Sequence, residues 1–351
     1  MRYFYVLFYA AWLLVALLAY EGLHRWCFPA TTIYETTGNY YETTHWVTDS
    51  LLGYAFAPDN RTLRDSKRRI GTDSLLYHVV YQLENGRRVT SDATSADRPS
   101  VVFIGDSFVF GLGLNDWQTL PWMLNNMVDS TDAVQNWGVP GYGLHQVYAQ
   151  LASGRLTSVY PTEKSPPLLV YLYLPDHLYR AAGYADWDPN GPHYETHAGR
   201  PVFKGAFSSN RWLSATYHQR WRKSRLYQTV GRRIEHYLFW EKNLRRTEAL
   251  FGGCRAAAEA AGWEFLVISI DPERKHIPYI EPMLKRQYIQ YLDASNIIIG
   301  LDKQMHRYFL DYPHDFHPKA RFNRQIALAI QRYLRNDEQR RFPLVVGFQK
   351  R

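Results

Sequence analysis

Val101-Val102-Phe103-Ile104-Gly105-Asp106-Ser107-Phe108-Val109 decides the reading of this chain. The unbroken β-branched and aromatic run describes a buried strand, and the abrupt Gly-Asp-Ser ends it on a hydroxyl. In open α/β sheets, ligands bind outside the carboxyl ends of the strands. A serine hydroxyl is a weak nucleophile by itself, so a catalytic Ser107 requires an imidazole base and an acid to orient it. The chain offers both late, in Asp315-Phe316-His317-Pro318.

Downstream of Ser107 the pattern alternates. Residues 116–128 suit a helix with Leu120, Met123, Leu124 and Met127 on one side, and residues 133–137 a short strand. The Gly-rich turn Gly138-Val139-Pro140-Gly141-Tyr142-Gly143 follows, then a helix over 146–156 and a third buried strand over 167–174. A helical stretch at 241–261, strands at 264–270 and 296–300, and a closing helix at 320–334 complete the rhythm. Strands apolar on both faces that alternate with helices predict an α/β fold, a parallel central sheet covered on both sides. Residues 181–235 interrupt it with a hairpin over 194–203 and a basic helical stretch over 213–233, and read as a cap inserted near the site. Upstream, Asn85-Gly86 between strand-like runs at 75–83 and 88–90 predicts a hairpin. The predicted organisation is a membrane segment at 1–28, a linker and β-hairpin extension at 29–98, a catalytic body at 99–336 carrying the cap, and a tail at 337–351.

Three blocks in order carry a family likeness: Gly105-Asp106-Ser107-Phe108, then Asn136-Trp137-Gly138-Val139-Pro140-Gly141-Tyr142-Gly143, then Asp315-Phe316-His317-Pro318. With these, residues 99–336 resemble the SGNH (GDSL-type) hydrolase superfamily of esterases and acyl-transfer enzymes. The resemblance implies a three-layer α/β/α, flavodoxin-like fold and no cofactor. It implies Ser107 as nucleophile, His317 as base and Asp315 as the acid that fixes the imidazole. It also implies an oxyanion hole built from the backbone N–H of Ser107, that of Gly138, and an Asn side chain in a third block. There the sequence departs, because strand 167–174 runs into Pro175-Asp176-His177-Leu178. A carboxylate donates no hydrogen bond unless protonated. His177 is therefore the expected third donor, with a protonated Asp176, or a hole of only two donors, as the alternatives. A structural reading of the last block, Asp315 as a helix cap and His317 incidental, yields to the catalytic one because Ser107 accompanies it.

Rival motifs fit less well. Position 109 is Val, so the Gly-x-Ser-x-Gly elbow of α/β-hydrolases is incomplete. Gly111-Leu112-Gly113 lacks the third glycine of a dinucleotide fingerprint. His306, His314 and His317 have no ligand set at metal-site spacing, so no metal is expected. Cys27 and Cys254 give no disulfide framework.

Residues 3–20 carry no charge and are just long enough to cross a bilayer, with aromatic residues at both ends. An uncleaved anchor is expected, with the short basic end in the cytoplasm and the body on the periplasmic or extracytoplasmic side of the inner membrane; a cleaved signal peptide is the rival. The net charge of +8 suits anionic lipid headgroups or an acidic glycan, and no nucleic-acid recognition module is present. The basic clusters, Lys67-Arg68-Arg69 among them, read as solvated faces. The expected function is a serine esterase or O-acyltransferase acting on ester groups, O-acetyl foremost, of an exported or surface carbohydrate, with small acyl or lipid esters as alternatives. A catalytically weakened glycan-binding or assembly module, and a released soluble lipase, are the rival readings.

Overall fold

The computed structural model describes residues 2–27, 33–59, 61–72, 74–90, 99–128, 133–157, 167–209 and 223–335. Residues 91–98 at the end of the expected extension, the first part of the basic stretch at 213–222 and the tail at 337–351 lie outside them.

Helix α1 (Arg2–Cys27) is long and apolar enough to span a membrane, and most of its apolar side chains are exposed. Strands β1 (Tyr34–Thr37), β2 (Trp46–Asp49), β3 (Gly53–Phe56), β4 (Arg61–Arg69), β5 (Leu75–Glu84) and β6 (Arg87–Arg88) form the extension. The body follows with β7 (Pro99–Gly105), α2 (Ser107–Phe110), α3 (Leu120–Asn125), β8 (Ala133–Gly138), α4 (Leu144–Ala152), β9 (Leu168–Tyr173) and α5 (Pro175–Arg180). The insertion carries the hairpin β10 (Pro192–His197) and β11 (Arg200–Ala206), and leads through a π-turn at Tyr227–Gly231 into α6 (Arg232–Ala260). The chain closes with β12 (Glu264–Ser269), α7 (Ile277–Arg286), β13 (Gln290–Asp293), α8 (Ala294–Ile297), α9 (Met305–Tyr308), β14 (Phe309–Asp311), β15 (Asp315–Pro318) and α10 (Ala320–Arg335).

Strands β8, β7, β9, β12 and β13 lie side by side in that order and run parallel. The chain leaves β7 toward β8 on one side and then returns to place β9 on the other. The carboxyl end of β7 is thus the topological switch point, where α/β sheets open a crevice. Both faces of these strands are buried, as a parallel sheet requires. Val102, Ile104, Tyr171, Tyr173 and Val267 pack under α4, α6 and α7. Val101, Phe103, Val170, Leu172 and Ile268 pack under α3 and α10.

The extension is part of the same sheet. Antiparallel β1, β4, β5 and β6 continue it to nine strands through the pairing of Arg88 with Asn136. The hairpin at Asn85-Gly86 forms with both residues at positive φ, 52° and 70°, as a two-residue turn matched to strand twist requires. Strand β4, Arg61–Arg69, was hidden by its charge. Leu63 and Asp65 are its buried inward positions, and Leu63 packs with Tyr77, Tyr81 and Phe110.

Two predicted elements change. The fifth strand lies at Gln290–Asp293, while residues 296–300 overlap the end of α8, because the Asp293 carboxylate accepts from Ser295 N at 2.9 Å and starts a helix there. The predicted helix over 116–128 is a 3-10 turn at Asp116–Gln118 followed by α3, since Thr119 turns extended and caps a helix that begins Leu120-Pro121.

Candidate active site

Gly105 ends β7 at φ +155°, and a Cβ there would stand 2.9 Å from Val109 Cγ2. A close turn of this kind favours glycine. Asp106 then caps α2, its Oδ1 accepting from Phe108 N at 2.9 Å. Ser107 thereby becomes the first residue of a one-turn helix, where a backbone N–H has no intrahelical partner.

His317 arrives on β15. Its Nε2 lies 2.9 Å from Ser107 Oγ, and its Nδ1 lies 2.7 Å from Asp315 Oδ1. The same Oδ1 accepts from His317 N at 3.0 Å. An Asp and a His two residues apart thus lock one another, with Nδ1–H on the carboxylate and the Nε2 lone pair facing the hydroxyl. The Phe108 ring lies 5.6 Å from the imidazole.

The other oxygen of Asp315 is held from the extension. Lys67 Nζ on β4 donates to Asp315 Oδ2 at 2.6 Å, with the side chains 17% and 3% exposed. The Lys67 ammonium sits over the Tyr34 ring at 4.2 Å, and Tyr34 Oη donates to Asp311 Oδ2 at 2.6 Å. Burial alone would raise the Asp315 carboxyl, but the His317 and Lys67 hydrogen bonds outweigh it and hold it well below the usual carboxylate range. The sequence reading placed Lys67 on a solvated face; only a partner 248 residues away distinguishes it.

Asp106 anchors the floor. It is fully buried, with Arg180 Nη1 at 2.8 Å and His177 Nε2 at 3.1 Å from its Oδ2. Burial would raise this carboxyl too, but the His177 and Arg180 contacts prevail and keep it ionised, well below its ordinary range. Burial pushes His177 below the ordinary imidazole range, against the pull of the Asp106 carboxylate.

The expected oxyanion donors fare differently. Ser107 N–H opens the helix beside its own hydroxyl. Gly138 N–H is already committed to Asn136 Oδ1 at 2.9 Å, and a Cβ at Gly138 would meet Phe110 N at 2.3 Å. That glycine lets β8 lie against α2. His177 corrects the sequence reading most clearly. Its side chain is fully buried between Asp106 and Tyr171, whose Oη lies 2.5 Å from Nδ1, so it faces the interior. Asp176 instead projects outward and lines the cavity.

That cavity, about 350 Å³, is bordered by Ser107, His317, Leu174, Asp176, Arg180 and His276. Its wall mixes apolar side chains such as Ile270 and Phe316 with these polar groups. Among the described residues, no group of three or more His, Cys, Asp or Glu side chains is placed to hold a metal ion. Cys27 and Cys254 are free thiols, the second buried.

No family model and no curated protein matches the chain. Among solved structures, it is similar to a protein assigned to the G-D-S-L lipolytic family from Desulfitobacterium hafniense DCB-2, with 14% identity and a TM-score of 0.37 over 66% of this chain and 97% of that one. It is also similar to the Bacillus subtilis protein YxiM, with 13% identity and a TM-score of 0.35 over 82% and 70% of the two chains. The fold itself stands on the strand order and on what that order brings together. A parallel sheet with a serine at its switch point and an Asp-x-His turn delivered beside it from the chain's end is an SGNH-like fold.

Proposed function

We propose that the chain is a serine esterase or O-acyltransferase in which Ser107, His317 and Asp315 form and resolve an acyl-enzyme. The carrying observation is the continuous path Ser107 Oγ to His317 Nε2 to Asp315 Oδ1, at 2.9 and 2.7 Å. As the Ser107 oxygen bonds to the ester carbonyl carbon, its proton passes to His317 Nε2. Asp315 stabilises the imidazolium without taking the proton. The tetrahedral intermediate collapses, the ester C–O bond breaks, and the imidazolium returns the proton to the departing alcohol. Water or a sugar hydroxyl then attacks the acyl-enzyme by the reverse steps. Ser107 N–H is the oxyanion donor that we assign; Gly138 N–H would serve only by releasing Asn136, and His177 acts through Asp106 as a positioning residue.

The body over 99–336 would carry this chemistry, with the 29–98 extension supplying Lys67. Helix α1 would anchor it in the inner membrane with the site on the extracytoplasmic side. The substrate we favour is an O-acetyl ester on an exported carbohydrate. Purified full-length protein should hydrolyse p-nitrophenyl acetate, and Ser107→Ala or His317→Ala should each lower turnover by several orders of magnitude. Normal turnover in both variants would remove the triad.

The engaged Gly138 N–H and the carboxylate of Asp176 favour one second reading, a glycan-binding module with weakened chemistry. Removing one oxyanion donor slows such enzymes by roughly 100- to 1000-fold, so that reading expects slow turnover even in the unaltered protein.

A further inference from the structure

The wall of the Ser107 cavity formed by Asp176 and Arg180 is also the wall of a second cavity. This one holds about 370 Å³ and is bordered by Asp176, Arg180, Tyr179, Tyr184, Trp187 and Arg232. It is built largely by the inserted segment rather than by the sheet.

Its chemistry is distinctive. The Tyr179 and Tyr184 rings lie nearly parallel, 20° apart at 6.2 Å. Trp187 is 57% exposed, yet its orientation is fixed: its Nε1 donates to Gly141 O at 3.3 Å, and the Arg180 guanidinium carbon stands 5.7 Å from the ring. The Asp176 carboxylate is exposed and makes no hydrogen bond or ion pair among the described residues. Arg180 is held on one nitrogen by Asp106 and by the Tyr142 carbonyl, at 2.8 and 2.7 Å, while its buried Nε has no partner.

Flat aromatic faces take the C–H face of a sugar ring. A carboxylate and a guanidinium at the edge accept from and donate to its hydroxyls. Asp176, Asp186 and Arg232 stand around the cavity, and the Arg180 charge is already met by Asp106, so the lining favours neutral hydroxyls over a polyanion. The charged pair standing at the junction also suits a hydrated sugar better than an acyl chain.

We propose that the second cavity is a saccharide subsite that holds the sugar bearing the ester, or receiving the acyl group, with its hydroxyl directed past Asp176 and Arg180 toward Ser107. This deepens the acyl-transfer reading and rests on it for its role, although not for its binding.

The test is binding without turnover. Full-length protein in detergent micelles is titrated with unacylated xylo-, manno-, gluco- and chito-tetraoses, followed by saturation-transfer NMR. At least one should bind, and Trp187→Ala should weaken it by about tenfold. Trp187→Tyr, which keeps an aromatic face, should restore most of the affinity. The exposed position of Trp187 spares the fold in either variant. No binding by any of the four, or equal affinity in Trp187→Ala, overturns the subsite. Fluorophosphonate labelling of Ser107 in the same preparation separates the two ideas. Saccharide binding without labelling leaves the subsite and removes the esterase; labelling without saccharide binding does the reverse.

Discussion

Replacing Lys67 by Met removes a positive charge from the far side of the proposed catalytic acid while keeping an unbranched side chain of similar length. Lys67 Nζ is 2.6 Å from Asp315 Oδ2, and Asp315 Oδ1 is 2.7 Å from His317 Nδ1. The ammonium and imidazole therefore stand roughly 5–6 Å apart, where two unit charges at an effective dielectric near 20 repel by about 3 kcal/mol. Solvent at the partly open site screens about half of this, leaving about 1 pH unit. The sign follows from what Lys67 opposes. Its charge disfavours adding a proton to the Ser-His-Asp array, so its loss makes that protonation easier. The neutral, active array then disappears at higher pH. The acid limb of kcat/KM for p-nitrophenyl acetate should move up by about 1 unit in Lys67→Met and return in Lys67→Arg. The same substitution raises the depressed Asp315 carboxyl. The stability this group contributes is present above its unfolded value of about 4 and is lost as pH falls through the folded value. Acid unfolding should therefore begin at a higher pH in Lys67→Met. An acid limb that stays within about 0.3 unit of its original position, with only a uniform fall in rate, would refute the electrostatic role and leave Lys67 as a packing contact.

Three further outcomes follow from the site. Gly138→Ala places a methyl 2.3 Å from Phe110 N and 2.8 Å from Val109 C; backbone cannot yield there, so urea unfolding should show a loss of about 1–3 kcal/mol, together with a fall in turnover as α2 shifts. Arg180→Met leaves the buried Asp106 carboxylate with the His177 imidazole but without its guanidinium partner, and should cost about 3–5 kcal/mol at neutral pH in the same measurement. A loss under about 1 kcal/mol would show that Asp106 is not held as an ion by Arg180. Asp176→Asn supplies an amide donor at the cavity wall and should raise acetyl ester hydrolysis, whereas equal or lower hydrolysis would give the carboxylate a role of its own.

The parts of the molecule legible in sequence are those whose signals are local. The run into Gly105-Asp106-Ser107 announces a buried strand because β7 is covered on both faces. The Asp-x-His spacing works because Asp315 binds both the imidazole and the amide of His317. Asn85-Gly86 marks its turn by the positive φ that only such residues adopt readily. Charge gives no comparable signal. Arg61-Thr62-Leu63-Arg64-Asp65-Ser66-Lys67-Arg68-Arg69 looks like a solvated run, yet it is a strand whose Asp65 and Lys67 find Tyr81 and Asp315. Arg88 is fully buried, donating to Asp116 and to the carbonyls of Phe110, Gly111 and Leu114, and so fixes the loop behind Ser107. His177 misleads for the opposite reason. Its place in sequence suggests a donor at the sheet edge, but the first turn of α5 points it inward, and its neighbour Asp176 faces the cavity. Partners supplied by a distant strand, and side-chain direction within one helical turn, are written in the tertiary structure alone.

The most direct measurement is covalent capture of the nucleophile. Full-length protein is treated with a fluorophosphonate, digested and mapped by mass spectrometry, beside Ser107→Ala and His317→Ala. A single phosphonyl adduct on Ser107, abolished in the first variant and slowed by several orders of magnitude in the second, is the expected result. Well-folded protein with no adduct on Ser107, or an adduct formed equally fast without the imidazole of His317, contradicts the acyl-enzyme mechanism.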